Sequence, residues 1–200
     1  MQVAFGFKAH SGWAALVVLG KDASSNRQPD YVVRARRRVE LVEEAWAKQP
    51  YHAAEEVEPN EARRVVEDGI QSAQRIATRE VREAVNREKK LGNEVVACAV
   101  LTGNPMPAWS VAEILAVHFR MHKAEGVLFR EALVRAAEKC SLPVSAINEK
   151  LLMKEAARAL KVSTDQVTKK LAVLGKVAGA PWGKDQKEAA LAAMLALSQY

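Results

Sequence analysis

The stretch Val3-Ala-Phe-Gly-Phe-Lys-Ala-His-Ser-Gly-Trp-Ala-Ala-Leu-Val-Val18 decides how the rest of the chain is arranged. Val3–Phe7 alternates small and large apolar residues, and Trp13–Leu19 is a continuous apolar run. His10, Ser11 and Gly12 supply a turn between them, so the pattern is that of a β-hairpin. A polar loop, Asn26 to Asp30 with Pro29, leads to a third strand-like segment, Tyr31–Val42. There Tyr31, Val33, Ala35, Val39 and Leu41 fall on one face, interrupted by Arg37. Val32, Arg34, Arg36, Arg38, Glu40 and Val42 fall on the other. One charged face predicts a half-exposed strand at or near a sheet edge. Its three arginines are expected to be solvated charges that discourage edge pairing rather than a grip for phosphates.

From Asn60 to Leu91 the period changes from two to that of a helix. Ala62, Val65, Ile70, Ala73, Ile76, Ala77, Ala84 and Val85 recur on one face, with Pro59–Asn60 at the start and Gly92 at the stop. Glu94–Leu101 is a nearly unbroken, valine-rich run, the pattern of a strand covered on both faces. Cys98 belongs there as a small hydrophobe. Gly103–Pro107 is a loop. Helical patterning resumes at Ser110, is strongest over Ala124–Cys140, and breaks at Leu142–Pro143 before a short strand, Val144–Ile147. Three helices close the chain, over Glu149–Leu160, Ser163–Val177 and Gly183–Leu197. A meander of strands followed by helical crossovers predicts a mixed five-stranded sheet, three antiparallel strands then parallel strands, flanked by helices. The expected organisation is one domain over 1–200, with a helical insert at 149–178 before the last helix.

At 200 residues and 49% hydrophobic, the chain can bury a real core, and a charged fraction of 27% excludes wholesale disorder. Two cysteines, Cys98 and Cys140, cannot build a disulfide scaffold. No stretch approaches the ~20 apolar residues that span a bilayer. The run Ala14–Leu19 is too short for a secretory signal and has no basic lead. A soluble, cytoplasmic protein without a membrane partner is therefore expected. The net charge of +6 is not spread evenly. Between Lys150 and Lys187 nine basic residues face three acids, which equals the excess of the whole chain. A polyanion would be met first in this C-terminal helical region.

Three stretches together resemble the ribonuclease H-like superfamily, and within it the RuvC-type, Holliday-junction resolvase-like branch. The hairpin Val3–Val18 is similar to the family's first hairpin, whose leading strand carries a catalytic Asp. Ala124-Glu-Gly-Val-Leu-Phe-Arg-Glu-Ala-Leu133, running on to Leu142-Pro143-Val144, resembles the helix and short strand behind the fourth strand. Ala180-Pro-Trp-Gly-Lys-Asp-Gln-Lys-Glu-Ala-Ala-Leu-Ala-Ala193 resembles the closing helix, with acids three apart before an alanine-rich face. The resemblance implies phosphodiester hydrolysis by two Mg²⁺ ions bridged by carboxylates. Here the residues depart from the pattern. Lys8 stands where the first-strand Asp is expected, and Ala99, Val100, Leu101 and Thr102 offer no acid at the end of the fourth strand. Only Asp185 and Glu188 remain, on one side of the last helix at i, i+3. A cation at the bridging position repels the ions it should bind.

The resemblance thus implies a degenerate nuclease site in which Lys8 pairs with Asp185 or Glu188, and a protein acting by binding DNA or RNA, a second copy of itself or another protein. No cofactor or metal is assigned. Mg²⁺ enters only if the site is active after all, through acids such as Glu94, Glu113 or Glu125. A third reading is a DNA-binding regulator. Glu155–Leu171 resembles a helix-turn-helix, with Ala156, Ala157 and Leu160 in the first helix and Val162 in the turn. Ser163 would cap the second helix, and Val167 and Leu171 would face inward. Lys161 occupies the turn position that Gly usually holds, and two helices packing on a sheet would show the same spacing. Lys161, Lys169, Lys170, Lys176 and Lys184 are the candidate nucleic-acid contacts. His118 and His122, at i, i+4 with Glu125 a turn further, have a spacing that can hold zinc. No general-base Glu lies between them, Gly126 points to a helix boundary nearby, and ordinary surface histidines are expected. Trp182 is expected to be a packing residue ahead of the last helix.

Overall fold

The computed structural model of the chain describes residues 1–22, 30–55 and 57–200. The expected polar loop at 26–30 falls almost wholly outside the described residues. Five strands form one sheet: β1 (Gln2–His10), β2 (Trp13–Asp22), β3 (Asp30–Glu40), β4 (Glu94–Thr102) and β5 (Val144–Asn148). Their spatial order is β3-β2-β1-β4-β5, antiparallel across the first three and parallel from β1 to β4 to β5. The β1–β2 turn rests on Gly12, whose φ of 80° suits a residue without a Cβ. Among the described residues seven α-helices surround the sheet: α1 (Pro50–Ala53), α2 (Pro59–Lys90), α3 (Val111–Leu115), α4 (His118–Lys139), α5 (Leu152–Ala159), α6 (Thr164–Ala178) and α7 (Lys184–Leu197). Among the described residues no helix is long and apolar enough to cross a membrane.

Strand alternation splits the core in two. Val3, Phe5, Phe7 and Ala9 of β1 face a cluster shared with α2 and α4. Ala4 faces the opposite cluster, built with α5, α6 and α7. The even face of β1 therefore carries Ala4, Gly6, Lys8 and His10 toward the C-terminal helices. On α2, Ala62, Ala73, Ile76, Ala77 and Ala84 of the expected stripe are buried, Val65, Ile70 and Val85 are only partly buried, and Val66 and Val81, which the expected stripe omitted, are fully buried. Cys98 is fully buried, and burial pushes its thiol far above the ordinary range, so it is a packing atom.

Several local expectations are corrected. The register of β2 and β3 slips between Val18 and Leu19, leaving Arg34 without an opposing residue. This bulge turns Tyr31 and Val33 to the α7 side, while Ala35 and Val39 stay on the α2 side. Alternation within the sequence cannot register such a slip. Two arginines on this edge strand, Arg36 and Arg38, are engaged rather than merely solvated. Arg36 donates to the carbonyls of Ala178 at 2.7 Å, Gly179 at 2.8 Å and Pro181, tying the end of α6 to the sheet. Arg38 lies 3.9 Å over the Trp13 ring and pairs with Glu40. The helix expected from Ser110 is two, broken at Ala116–Val117, and α4 runs through Gly126 without a boundary. Glu149 is not helical; α5 begins at Leu152.

Sheet and helix approach closely at Gly6. A Cβ built there would lie 1.9 Å from the Ala189 carbonyl oxygen and 2.8 Å from the Ala193 nitrogen of α7. Both obstacles are helix backbone, which cannot swing aside as a side chain can. Gly6→Ala is therefore expected to lower stability by at least about 3 kcal/mol, at the upper end of overpacking costs. Urea unfolding monitored by circular dichroism measures it, and a loss under about 1 kcal/mol would contradict the close approach.

Candidate functional site

Lys8 lies on the even face of β1, two residues beyond Gly6, and its side chain is only 8% exposed. Because α7 touches the backbone at Gly6, its first turns pass directly over Lys8 and His10. Asp185 and Glu188 sit one helical turn apart there, and a carboxylate in the first turn also meets the favourable end of the helix dipole. The Lys8 ammonium is 3.1 Å from Glu188 Oε2, and His10 Nε2 is 3.1 Å from Asp185 Oδ1. The expected pairing of Lys8 thus forms with Glu188, whereas Asp185 lies beside His10, whose Nε2 makes no hydrogen bond. His10 is itself stacked on Trp13, with ring centroids 4.3 Å apart.

A third carboxylate completes the cluster. Glu149 Oε2 is 2.5 Å from the Lys8 ammonium, and Arg130 of α4 reaches Glu149 Oε1 at 3.3 Å. Glu149 follows the last residue of β5, and its backbone N–H donates to the Thr102 carbonyl at 2.9 Å. A carboxylate therefore stands beside the end of β4, where Ala99–Thr102 bring none. The sequence offered a signal for it: an acid two residues beyond the predicted strand Val144–Ile147. Helical patterning downstream absorbed that acid into the next element instead. Arg130 had no signal of its own. The other acids considered do not join. Glu94 starts β4 at the opposite end of the strand, Glu113 closes the capping box of α3 with Ser110, and Glu125 pairs with His52.

The candidate lysines lie on the C-terminal helices. Lys161, Lys169, Lys176 and Lys184 are exposed and Lys170 is half-buried. Lys161 joins α5 to α6 with φ of 53°, the left-handed geometry that a glycine would adopt more easily. Ser163 caps α6 in a box with Gln166. Ala156, Val167 and Leu171 are buried in the cluster under α7, so α5 and α6 pack on the sheet side while their polar faces point outward. Trp182 packs against the same cluster and donates to the Leu171 carbonyl at 3.0 Å. A cleft of about 430 Å³ between α5, α6 and α7 is lined by Glu149, Glu188, Lys184, Lys187, Leu152 and Leu171 among others. It joins the acidic cluster to the basic helices. His118, His122 and Glu125 lie apart from this site, at the start of α4.

The sheet order, the crossovers and the placing of the closing helix on β1 define a ribonuclease H-like fold of the RuvC type. The structure of Thermus thermophilus RuvC superposes with a TM-score of 0.54 at 13% identity, covering 96% of this chain and 91% of that one. T. thermophilus RuvC in complex with a Holliday junction substrate is similar at a TM-score of 0.53, with the same identity and coverage. No family model and no curated protein sequence matches the chain.

Removing the Lys8 ammonium leaves Glu149 and Glu188 facing each other without the charge between them. Since both carboxylates are about a quarter exposed, the penalty falls below that of a fully buried pair. Lys8→Met is expected to cost about 2–4 kcal/mol in urea unfolding. A variant as stable as the parent would show that the ammonium is not held between these acids.

Proposed function

We propose that this chain is a nuclease-fold protein that acts by binding nucleic acid, with no two-metal hydrolysis at Lys8, Asp185 and Glu188. The observation that carries this reading is the Lys8 ammonium between Glu149 and Glu188. A magnesium pair needs those oxygens as ligands. An ammonium about 4 Å from a divalent ion would repel it by roughly 8 kcal/mol at the effective dielectric of a protein surface. The group implied by the fold does not fit these residues, because the negative charge of Glu149 and Glu188 is already answered by Lys8 and Arg130. Lys8 fills the electrostatic role of the metal from within the chain.

Nucleic acid is the partner class because of the charge distribution. Lys161, Lys169, Lys170, Lys176 and Lys184 sit along α6 and its two flanking turns, in the insert at 149–178 and the start of α7. Flexible ammonium groups of this kind contact phosphates without reading sequence. The solved complex of T. thermophilus RuvC with a Holliday junction supports the same partner class.

Incubation with branched and single-stranded DNA in Mg²⁺ or Mn²⁺ is expected to yield no cleavage. Cleavage that disappears in Glu188→Gln would overturn the reading and restore an active site with an atypical acid set that includes Glu149. In fluorescence anisotropy, duplex or junction DNA should bind with an affinity that falls steeply as salt rises. Lys169→Glu combined with Lys176→Glu should reduce the salt slope by about 2 and weaken all sequences alike. Binding insensitive to both substitutions would remove α6 from the interface.

A further inference from the structure

A second cluster lies at the start of α4, away from the mid-helix contact of Arg130 with Glu149. His118 and His122 occupy the first two turns of that helix, 12 and 8 residues before Arg130. At the rise of an α-helix this is about 18 and 12 Å along the axis. The fold brings His52 from α1 against them. The three imidazole rings are 4.6 to 5.1 Å apart between centroids, and one nitrogen from each lies within 4.8 Å of the others. His118 Nε2 and His122 Nε2 face each other at 3.1 Å.

The surroundings of His52 are more telling than the spacing. Glu125, 3% exposed, holds both carboxylate oxygens 2.9 Å from His52 Nδ1 and also accepts from the His52 backbone N–H at 3.2 Å. A carboxylate at Nδ1 keeps the proton on that nitrogen and leaves the Nε2 lone pair free in the neutral ring. His52 Nε2 is buried and has no hydrogen-bond partner. Buried nitrogens without partners are rare in folded proteins and call for an explanation. A metal ion answers it: the lone pair becomes a ligand, and the carboxylate behind the ring is the outer-shell partner that metal-binding histidines usually have. Glu55 Oε1 stands 3.8 Å from His118 Nδ1, a weaker copy of the same arrangement.

We propose that His52, His118 and His122 bind a zinc ion through their Nε2 atoms, with Glu125 orienting His52 from behind. The ligand set is three neutral imidazoles, which suits a borderline divalent ion and not Mg²⁺ or Ca²⁺. Tetrahedral zinc with nitrogens at about 2.0–2.1 Å spaces its ligand atoms roughly 3.3 Å apart, so closure requires rotamer adjustment of about an ångström. Glu125 and Glu55 together balance the charge of the ion. His118 and His122 are exposed, so the fourth position opens to solvent and takes water. The ion fastens the short α1, which has only four residues, to the start of α4. This site shares no residue with the Lys8 cluster and stands or falls independently of the nucleic-acid reading.

The test uses the full chain freed of metal with a chelator and titrated with zinc sulfate against a chromophoric competitor. One equivalent is expected to bind, and zinc should raise the melting temperature. His118→Ala and His122→Ala, both at exposed positions, should each weaken binding by at least about 100-fold and abolish the thermal shift while leaving the circular dichroism spectrum unchanged. Glu125→Gln should keep one equivalent but lower affinity about 10–100-fold. Cys140→Ser should leave the affinity as it was. Substitution with Co²⁺ should give the intense visible bands of tetrahedral coordination, lost in His52→Ala. Absence of stoichiometric zinc binding, or binding indifferent to His118→Ala and His122→Ala, would overturn the proposal.

Discussion

The missing side chain at Gly6 is the constraint on which the site rests. Because nothing projects from β1 there, the backbone of α7 at Ala189 and Ala193 lies directly against the strand. The alanines of α7 serve the same geometry: Ala189, Ala190, Ala192, Ala193 and Ala196 are all buried, and larger residues would hold the helix off. Close contact sets the height of α7 over the sheet as well as its rotation. Height and rotation together bring Glu188 to Lys8 and Asp185 to His10. Packing and electrostatics are thus one interface rather than two.

A buried ammonium needs this arrangement as much as the carboxylates do. Lys8 would be costly to desolvate alone, and Glu149 with Glu188 would repel each other without it. Three chain segments far apart in sequence meet on it: β1, the end of β5, and the first turns of α7. Because Lys8 is covalently part of the sheet, its ion pairs with Glu149 and Glu188 tie the three segments together at this point. Arg36 makes a comparable tie further out, holding the carbonyls at the end of α6 from the edge strand β3.

The two faces of the sheet are put to different uses. On one side α2 and α4 cover a core of large side chains, with Phe5, Phe7, Phe129, Met121 and Leu133 among those fully buried. On the other, the alanine-rich α7 lies against Ala4 and Gly6 of β1 with Val17, Leu19 and Leu101 in the same layer, and the buried sides of α5 and α6 extend that layer outward. The excess positive charge collects on this second layer. Its lysines point away from the core because the inward positions are taken by Ala156, Val167, Leu171 and Leu174. A helix-turn-helix spacing and a sheet-packing spacing coincide in this segment. The tertiary contacts show α5 and α6 packed on α7 while leaving the lysine face open.

Much of this was legible in the residues alone. The hairpin, the long amphipathic α2, the buried β4 and the alanine-rich closing helix follow from periodicity, which depends only on neighbours along the chain. Lys8, Asp185 and Glu188 could be set side by side because the strand face and the i, i+3 spacing are local, and the resemblance supplied the docking of one on the other. What the linear pattern does not contain is everything that requires two distant segments to meet at a defined depth. Glu149 reaches Lys8 only because β5 pairs with β4 in one register, and the bulge at Arg34 moves Tyr31 and Val33 to the opposite face. His52 completes a triad with His118 and His122 only because α1 leans on α4. Periodicity reports which way a residue points from its own element; the distances that make ion pairs and ligand sets are decided by how the elements pack.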